Sequence, residues 1–250
     1  MTSARGKKTS DARVDILVFG AHADDIELSC GGTVALAVAE GKRVGIVDLT
    51  HGEMGTRGTP QTRLRESKEA GKTLGAVFRE RLDFGDGGLR TGRPEEEELI
   101  RLIRRHQPSI VIAPLPDDRH PDHVRAGRLI TEASFYAGLS KMDTGQKAHR
   151  PQAILYYLLN YIPHPSFIVD VTSTWKTKEK AIRAYASQFY NPGSKEPDTF
   201  IAKKSFLEMI DARGKHFGAM IGAGYGEAFV SKQPPRVQDL IGAFEGREVS

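Results

Sequence analysis

A regular exchange of short apolar runs with amphipathic stretches between residues 14 and 137 leaves this chain few architectures to adopt. Val14-Asp-Ile-Leu-Val-Phe-Gly20 is β-branched and aromatic, as strands are. Residues 26 to 40 then carry Leu28, Val34, Leu36 and Val38 up to Gly41, a helical pattern with a glycine stop. Residues 43–50, 61–74 and 77–84 continue the cycle as strand, helix and strand. Leu99, Leu102, Ile103 and His106 fall on one stripe of a third helix, opened by Pro94 and ended before Pro108. Ser109-Ile-Val-Ile-Ala113 is a continuous run suited to a strand covered on both faces, and Leu129, Ile130, Ala133, Tyr136 and Ala137 share a face of a fourth helix. This alternation predicts an α/β fold, a Rossmann-like, mostly parallel sheet with helices on both faces.

Beyond Gly138 the pattern gives strands at 153–160 and 167–171, then a helix carrying Trp175, Ile182, Tyr185 and Phe189. A loop at 191–197, a last helix and a short strand near 228–231 follow. No repeat or linker divides the chain, so the expected organisation is a flexible basic tail over residues 1–13 and a single domain over 14–250. The longest apolar run, 153 to 159, is far short of the roughly 20 residues a membrane helix needs. One cysteine, Cys30, cannot form an internal disulfide, and the first thirteen residues hold no apolar leader; a cytoplasmic protein is expected. The net charge of +4 resides mostly in Arg5, Lys7, Lys8 and Arg13, opposed by Asp11, which leaves no basic face of the kind a nucleic-acid reader shows.

In open α/β sheets ligands bind beyond the carboxyl ends of the strands. The first strand ends in Gly20-Ala-His22-Ala-Asp24-Asp25-Ile-Glu27, and the fourth is followed by Asp117-Asp-Arg119-His120-Pro-Asp122-His123. Together these supply His22, Asp24, Asp25, His120, Asp122 and His123, enough for a two-histidine, one-carboxylate metal site with a position open to water. One or both of His120 and His123 complete the cluster. The remaining carboxylate, Asp24 or Asp25, then removes a proton from the water, and the remaining histidine stabilises developing negative charge.

Structural explanations compete. An aspartate followed by Glu27 is a helix-start signature, and His120-Pro-Asp-His123 reads equally well as a polar turn. The coincidence of both segments at the functional edge favours a site. His51 is a minor candidate for the cleft wall; His106, His149, His164 and His216 are assigned structural or surface roles, and Cys30 a buried, inert thiol. Gly85-Asp-Gly-Gly88 lacks Gly-Lys-Ser/Thr and reads as a turn beside the cleft. A Rossmann-like nucleotide-binding module is the alternative from another class, but two acids stand where a pyrophosphate needs glycines and bare amides. An acidic phospho-receiver leaves His120 and His123 idle.

Ala21-His-Ala-Asp-Asp-Ile-Glu27 with Arg119-His-Pro-Asp-His123 resembles the LmbE-like (PIG-L) zinc-dependent de-N-acetylase family. Asp48-Leu-Thr50, Gly58-Thr59 with Arg63, Ser187-Gln-Phe189 and Glu227-Ala-Phe-Val-Ser-Lys232 look most like its bacillithiol-biosynthesis branch, which deacetylates N-acetylglucosaminyl malate. The resemblance implies zinc-dependent hydrolysis of the acetamide of such a conjugate, with another N-acetylated sugar as the alternative substrate. It implies one zinc held by His22, Asp25 and His123; iron(II) suits the same donors nearly as well. Asp24 would be the general base, and His120, protonated and oriented by Asp122, would stabilise the oxyanion. Arg63 and Arg119 match arginines facing the substrate, where a guanidinium pairs with malate carboxylates, and Arg150 matches another arginine of the branch. Phe200 falls near a position where some relatives carry tyrosine. Members of the branch often form hexamers, so a homo-oligomer is expected, with a small-molecule partner and neither nucleic acid nor membrane.

Overall fold

The computed structural model describes residues 13–244; the basic tail, apart from Arg13, lies outside the described residues. Seven strands form one sheet: β1 (Ile16–Gly20), β2 (Val44–Asp48), β3 (Phe78–Arg81), β4 (Ile110–Pro114), β5 (Ala153–Tyr157), β6 (Phe167–Asp170) and β7 (Gly226–Ser231). Six helices connect or follow them: α1 (Asp25–Ala39), α2 (Pro60–Leu74), α3 (Arg93–His106), α4 (Pro121–Ala137), α5 (Trp175–Arg183) and α6 (Lys204–Met220). The order across the sheet is β3-β2-β1-β4-β5-β7-β6; the first five strands are parallel, and β7 runs antiparallel to both neighbours. The expected α/β architecture is therefore present, with one reversed strand.

Side-chain alternation sorts the core into two layers. Val18, Ile46 and Ile112 face α1 and α5, whereas Leu17, Phe19, Val47, Val111 and Ala113 face α3 and α4. Both faces of the central strands are thus buried, which is why these strands read as unbroken apolar runs. Local signals set several ends. Thr59 accepts the Thr62 N–H at the start of α2, Pro60 occupies its first turn, and Gly75 closes it in the left-handed region at φ 78°.

The chain moves from β1 outward to β2 and β3, then returns to β4 on the other side of β1. The loops leaving β1 and β4 consequently diverge and open a crevice at their carboxyl ends. One expectation is corrected. Helix α5 stops at Arg183, so Tyr185 and Phe189 lie beyond it. Glu66 accepts the N–H and hydroxyl of Ser187 at 2.8 and 2.7 Å, drawing this segment toward α2 while both aromatic rings stay buried. Among the described residues no helix is long and apolar enough to cross a membrane.

Candidate active site

The turn after β1 delivers His22, Asp24 and Asp25 to the head of α1, and the start of α4, with His120 as its N-cap and His123 in its first turn, lies against them. The His22 ring lies 4.8 Å from that of His120 and 5.4 Å from that of His123. Gly20 permits the tight turn, since a Cβ there would stand 2.8 Å from the His22 carbonyl oxygen. Asp24 adopts φ 135°, a costly conformation for a residue with a side chain, and makes no capping hydrogen bond. The helix-cap explanation of Asp24 therefore fails.

His123 Nε2 stands 3.3 Å from Asp25 Oδ1, and His22 Nδ1 stands 3.6 Å from Asp25 Oδ2. One ligand atom from each of His22, Asp25 and His123 lies within 4.8 Å of the others; His22, His120 and Asp122 form a second such set. The first set is the freer one. The Asp122 carboxylate already accepts the N–H groups of Gly87 and Leu89, at 2.8 and 3.0 Å, and Arg125 Nη1 at 3.1 Å. His123, by contrast, turns Nδ1 to Asp118 Oδ1 at 3.0 Å, which leaves Nε2 directed toward Asp25. Such a carboxylate–imidazole pair fixes the ring of a metal ligand. His22 Nε2 is buried without a well-formed hydrogen bond, its neighbours being Asp86 Oδ1 at 3.0 Å and Asp122 Oδ2 at 3.6 Å. A divalent cation fits this donor set: two imidazoles and a carboxylate converge where acids outnumber resident cations.

The electrostatics agree. Burial alone would lower the His22 imidazole, but Asp122, Asp25 and Asp86 outweigh it and hold the ring well above its ordinary value. Burial likewise opposes the charge on His123, yet Asp25 and Asp118 lift that ring to about 9. Asp25 resists burial because His123 and His22 keep its carboxyl well below the usual range. Asp24 behaves oppositely: burial, with Asp25 adding to it, pushes its carboxyl up to about 7 against the pull of Arg63. Burial and the neighbouring charges of His22 and His123 lower His120.

Two expected roles change here. His120 is disfavoured as a cation, and its Nδ1 accepts the backbone N–H of Asp122 at 3.2 Å, which leaves the ring proton on Nε2. Asp122 therefore orients His120 through its amide rather than its carboxylate, which is turned to the β3–α3 loop.

His22, Asp24, Asp25, His120 and His123 line a cavity of about 400 Å³ walled by Met54, Arg57, Gln188, Phe200, Met209 and Arg213, among others. Arg63 and Arg119 both line it, with different freedom. Arg63 donates to the carbonyls of Gly52 and Ala23, each at 3.1 Å, and lies 3.5 Å from Asp24 Oδ2, so its guanidinium serves the backbone and that carboxylate. Arg119 is exposed, its guanidinium 5.9 Å from the centre of the Phe200 ring. Arg150 is a correction: it lies outside the cavity, 4.7 Å above the Phe135 ring. It precedes a parallel strand and so sits at the amino edge of the sheet, whereas the site occupies the carboxyl edge; Phe135 is roughly 20 Å along α4 from His120. His51 is likewise absent from the lining.

Sequence reasoning missed Asp86, Asp118 in its role on His123, Asn160, Arg57 and Arg213. Asp86 follows β3 at the same sheet edge, a signal that was available. The Gly85–Gly88 turn does stand beside the cleft, since Asp86 and Gly87 line it.

Residues 17–134 match the PIG-L family, described as GlcNAc-PI de-N-acetylase. A diacetylchitobiose deacetylase from Thermococcus kodakarensis is 32% identical over 227 residues, covering 85% of this chain and 80% of the relative. The chain belongs to the PIG-L de-N-acetylase family. Membership places it among the N-deacetylases, hydrolases that cleave an amide, and metal dependence fits the family and the His/Asp/His cluster. Among solved structures, a conserved protein of Thermus thermophilus superposes with a TM-score of 0.83 at 39% identity, covering 91% of this chain and 98% of that one. The N,N'-diacetylchitobiose deacetylase from Pyrococcus horikoshii, solved with an inhibitor, gives 0.77 at 29% identity over 88% and 83%.

Proposed function

We propose that this chain removes the acetyl group from an N-acetylglucosamine conjugate bearing an acidic aglycone, N-acetylglucosaminyl malate in the fullest form of the reading. Acetate and a free amine are the products, and bacillithiol-type thiol biosynthesis is the setting. The observation that carries the proposal is the convergence of His22, Asp25 and His123 on the cavity floor, with a second buried carboxylate, Asp24, beside them. These three residues hold the metal, zinc in our reading. When bound there, a divalent ion would supply polarisation of the amide carbonyl and a more acidic water molecule.

Asp24 accepts the proton of the attacking water. Burial raises that carboxyl in the metal-free chain, and the same carboxyl then returns the proton to the departing nitrogen. Arg63 keeps Asp24 in place and offsets part of the burial that raises it. His120, with its proton on Nε2, donates to the oxygen on which negative charge develops. Asp118 and Asp122 fix the His123 and His120 rings. Arg119 has the exposed guanidinium that suits a carboxylate of the aglycone, with the Phe200 ring beneath it.

Diacetylchitobiose is the competing substrate, because a 32% identical relative is named for it. Deacetylation rates of the zinc-loaded enzyme on N-acetylglucosaminyl malate, N,N'-diacetylchitobiose and free N-acetylglucosamine distinguish the two. The expected result is a preference for the malate conjugate of at least tenfold in kcat/KM that disappears in Arg119→Ala. Equal rates on the malate and chitobiose substrates contradict the acidic-aglycone reading and leave the deacetylase reading standing.

A further inference from the structure

Helix α1 is broken at Cys30, which takes φ −130° and ψ 19°, one turn behind Asp25. Backbone groups released by the break are taken up by side chains from the C-terminal third of the chain. Glu227, on β7, accepts the N–H groups of Gly32 and Thr33 at 2.9 and 2.7 Å, and Lys178, on α5, contacts the same carboxylate at 2.5 Å. On the other side of the break, the Leu28 carbonyl accepts from Arg213 Nη2 at 2.7 Å, and the Ser29 carbonyl from Lys178 at 3.4 Å. The first turn of α1, which begins with Asp25, is thus a separate piece anchored from outside its own helix.

Arg213 anchors a second limb of the site as well. Its Nη1 donates to the Leu159 carbonyl at 2.5 Å, immediately before Asn160. Asn160 holds both oxygens of Asp118, through its backbone N–H at 3.0 Å and its side-chain amide at 2.7 Å, and Asp118 orients His123. One guanidinium in the cavity wall therefore reaches the Asp25 turn with one nitrogen and the loop behind His123 with another.

We propose that Arg213 is a positioning residue that sets the spacing between the metal ligands Asp25 and His123 by clamping the Leu28 and Leu159 carbonyls together. The inference rests on the reading of those two residues as ligands. Its planar fork reaches both carbonyls at once, which the single ammonium of a lysine cannot do with the same geometry. Because groups behind a ligand govern metal affinity by roughly 10–100-fold, Arg213→Met is expected to weaken binding by about tenfold or more, with Arg213→Lys in between.

The test uses the full chain, freed of metal by a chelator. Zn²⁺ affinity is measured by competition with a chromophoric chelator, the ligand field is read from the visible spectrum of the Co²⁺ form, and thermal unfolding of the metal-free protein is followed in parallel. Asn160→Leu cuts the same connection at its next link. It is expected to weaken Zn²⁺ binding also, and the double variant to lose less than the product of the two single effects. An altered Co²⁺ spectrum in Arg213→Met that Arg213→Lys partly restores supports the clamp. Wild-type Zn²⁺ affinity and spectrum in Arg213→Met, with only KM raised or only unfolding lowered, overturn it. Should Arg213→Met fail to fold, Arg213→Lys and Asn160→Leu decide: wild-type affinity and spectrum in both overturn the clamp. A wild-type chain that binds neither Zn²⁺ nor Co²⁺ overturns the metal-site reading and the clamp with it.

Discussion

The first turn of α1 feeds two acid clusters that differ in the cation they keep. Asp24 and Asp25 enter the cavity among His22, His120 and His123, while Glu27, two residues on, enters a sealed pocket between α1, β2 and β3. There Arg79 pairs bidentately with Asp48, at 2.7 and 2.8 Å, and reaches Glu27 and the Ser67 carbonyl with its other nitrogen. Burial pushes the Glu27 carboxyl up against the pull of Arg79. Burial also opposes the charge on Arg79, but Asp48 and Glu27 hold its guanidinium well above the ordinary value. The sealed cluster is paired with a cation that is part of the chain and does not titrate, although Glu27 Oε2 stays buried without a partner. The open one faces imidazoles, whose protons would leave if an exchangeable cation bound there. Asp48 and Glu27 are thus tied by the arginine that lies between them, whereas Asp25 faces two imidazoles and Arg63 reaches only Asp24.

Removing the fixed cation breaks this comparison most severely. Arg79→Met leaves Glu27 and Asp48 buried and unpaired, and is expected to destabilise the metal-free chain by about 3–5 kcal/mol in urea unfolding. Asp25→Asn in the same metal-free chain is expected to lose less than half of that, because His22 and His123 shed their protons instead of being stranded as charges. A loss in Asp25→Asn as large as in Arg79→Met contradicts the distinction. The exchangeable cation supplies the next effect. Zn²⁺ at a hundredfold excess over its Kd is expected to stabilise the wild type by about 2.7 kcal/mol. That gain, read as a rise in Tm, should vanish in Asp25→Asn and persist in a folded Arg79 variant.

Proton release sharpens the contrast further. Free of metal, His123 is protonated up to about 9, and a metal ligand must be neutral. Zn²⁺ affinity should therefore rise with pH from 7 to 9 by up to tenfold per unit for this proton, about 1.4 kcal/mol. Stability of the metal-free chain moves the other way. A histidine raised on folding stabilises fully below its unfolded value of roughly 6.5, and that contribution disappears as pH climbs through 9. Isothermal titration across this range checks the first statement and thermal unfolding with a chelator checks the second; a flat affinity profile contradicts the assignment of His123.

The sheet was legible because each strand-helix unit buries its own stripe, so periodicity over 10–15 residues carries the information. The insertion of β7 between β5 and β6 was not, since it pairs segments as far apart as Leu155 and Ser231. The break in α1 was hidden for the same reason: Glu227 reaches Gly32 across 195 positions. His22, Asp24, Asp25, His120, Asp122 and His123 stood out as a group because two short segments at strand ends carry them and the strand-end rule brings those segments together; the family resemblance, not the spacing, singled out His22, Asp25 and His123. Arg63 and Arg150 show where that logic stops. Both fit a family pattern, yet Arg63 has most of its donors tied to backbone and Asp24, and Arg150 stands at the opposite edge of the sheet. Local pattern names the candidate ligands; the groups that orient them are set by tertiary contacts.

The finest distinction between the two clusters lies at Asp24 itself. Its carboxyl is raised to about 7 in the fold from an ordinary value of 3.8. A carboxyl raised on folding binds its proton more tightly in the native state, so the native state loses stability as pH rises from 3.8 through 7, and the loss is complete above 7. An asparagine at this position carries no such penalty. Asp24→Asn is therefore expected to make the metal-free chain more stable at pH 8 by on the order of 1 kcal/mol, with no gain below pH 4, while turnover of the zinc-loaded enzyme falls by about 10²–10⁴-fold. The strained backbone at φ 135° remains in the variant, and Arg63 keeps its two carbonyl acceptors, which limits the gain. Unfolding at pH 4 and pH 8, paired with an acetate-release assay, tests both halves. A variant no more stable at pH 8 than the wild type would mean that Asp24 is not held in the fold against its own charge, and full activity would remove it as the base.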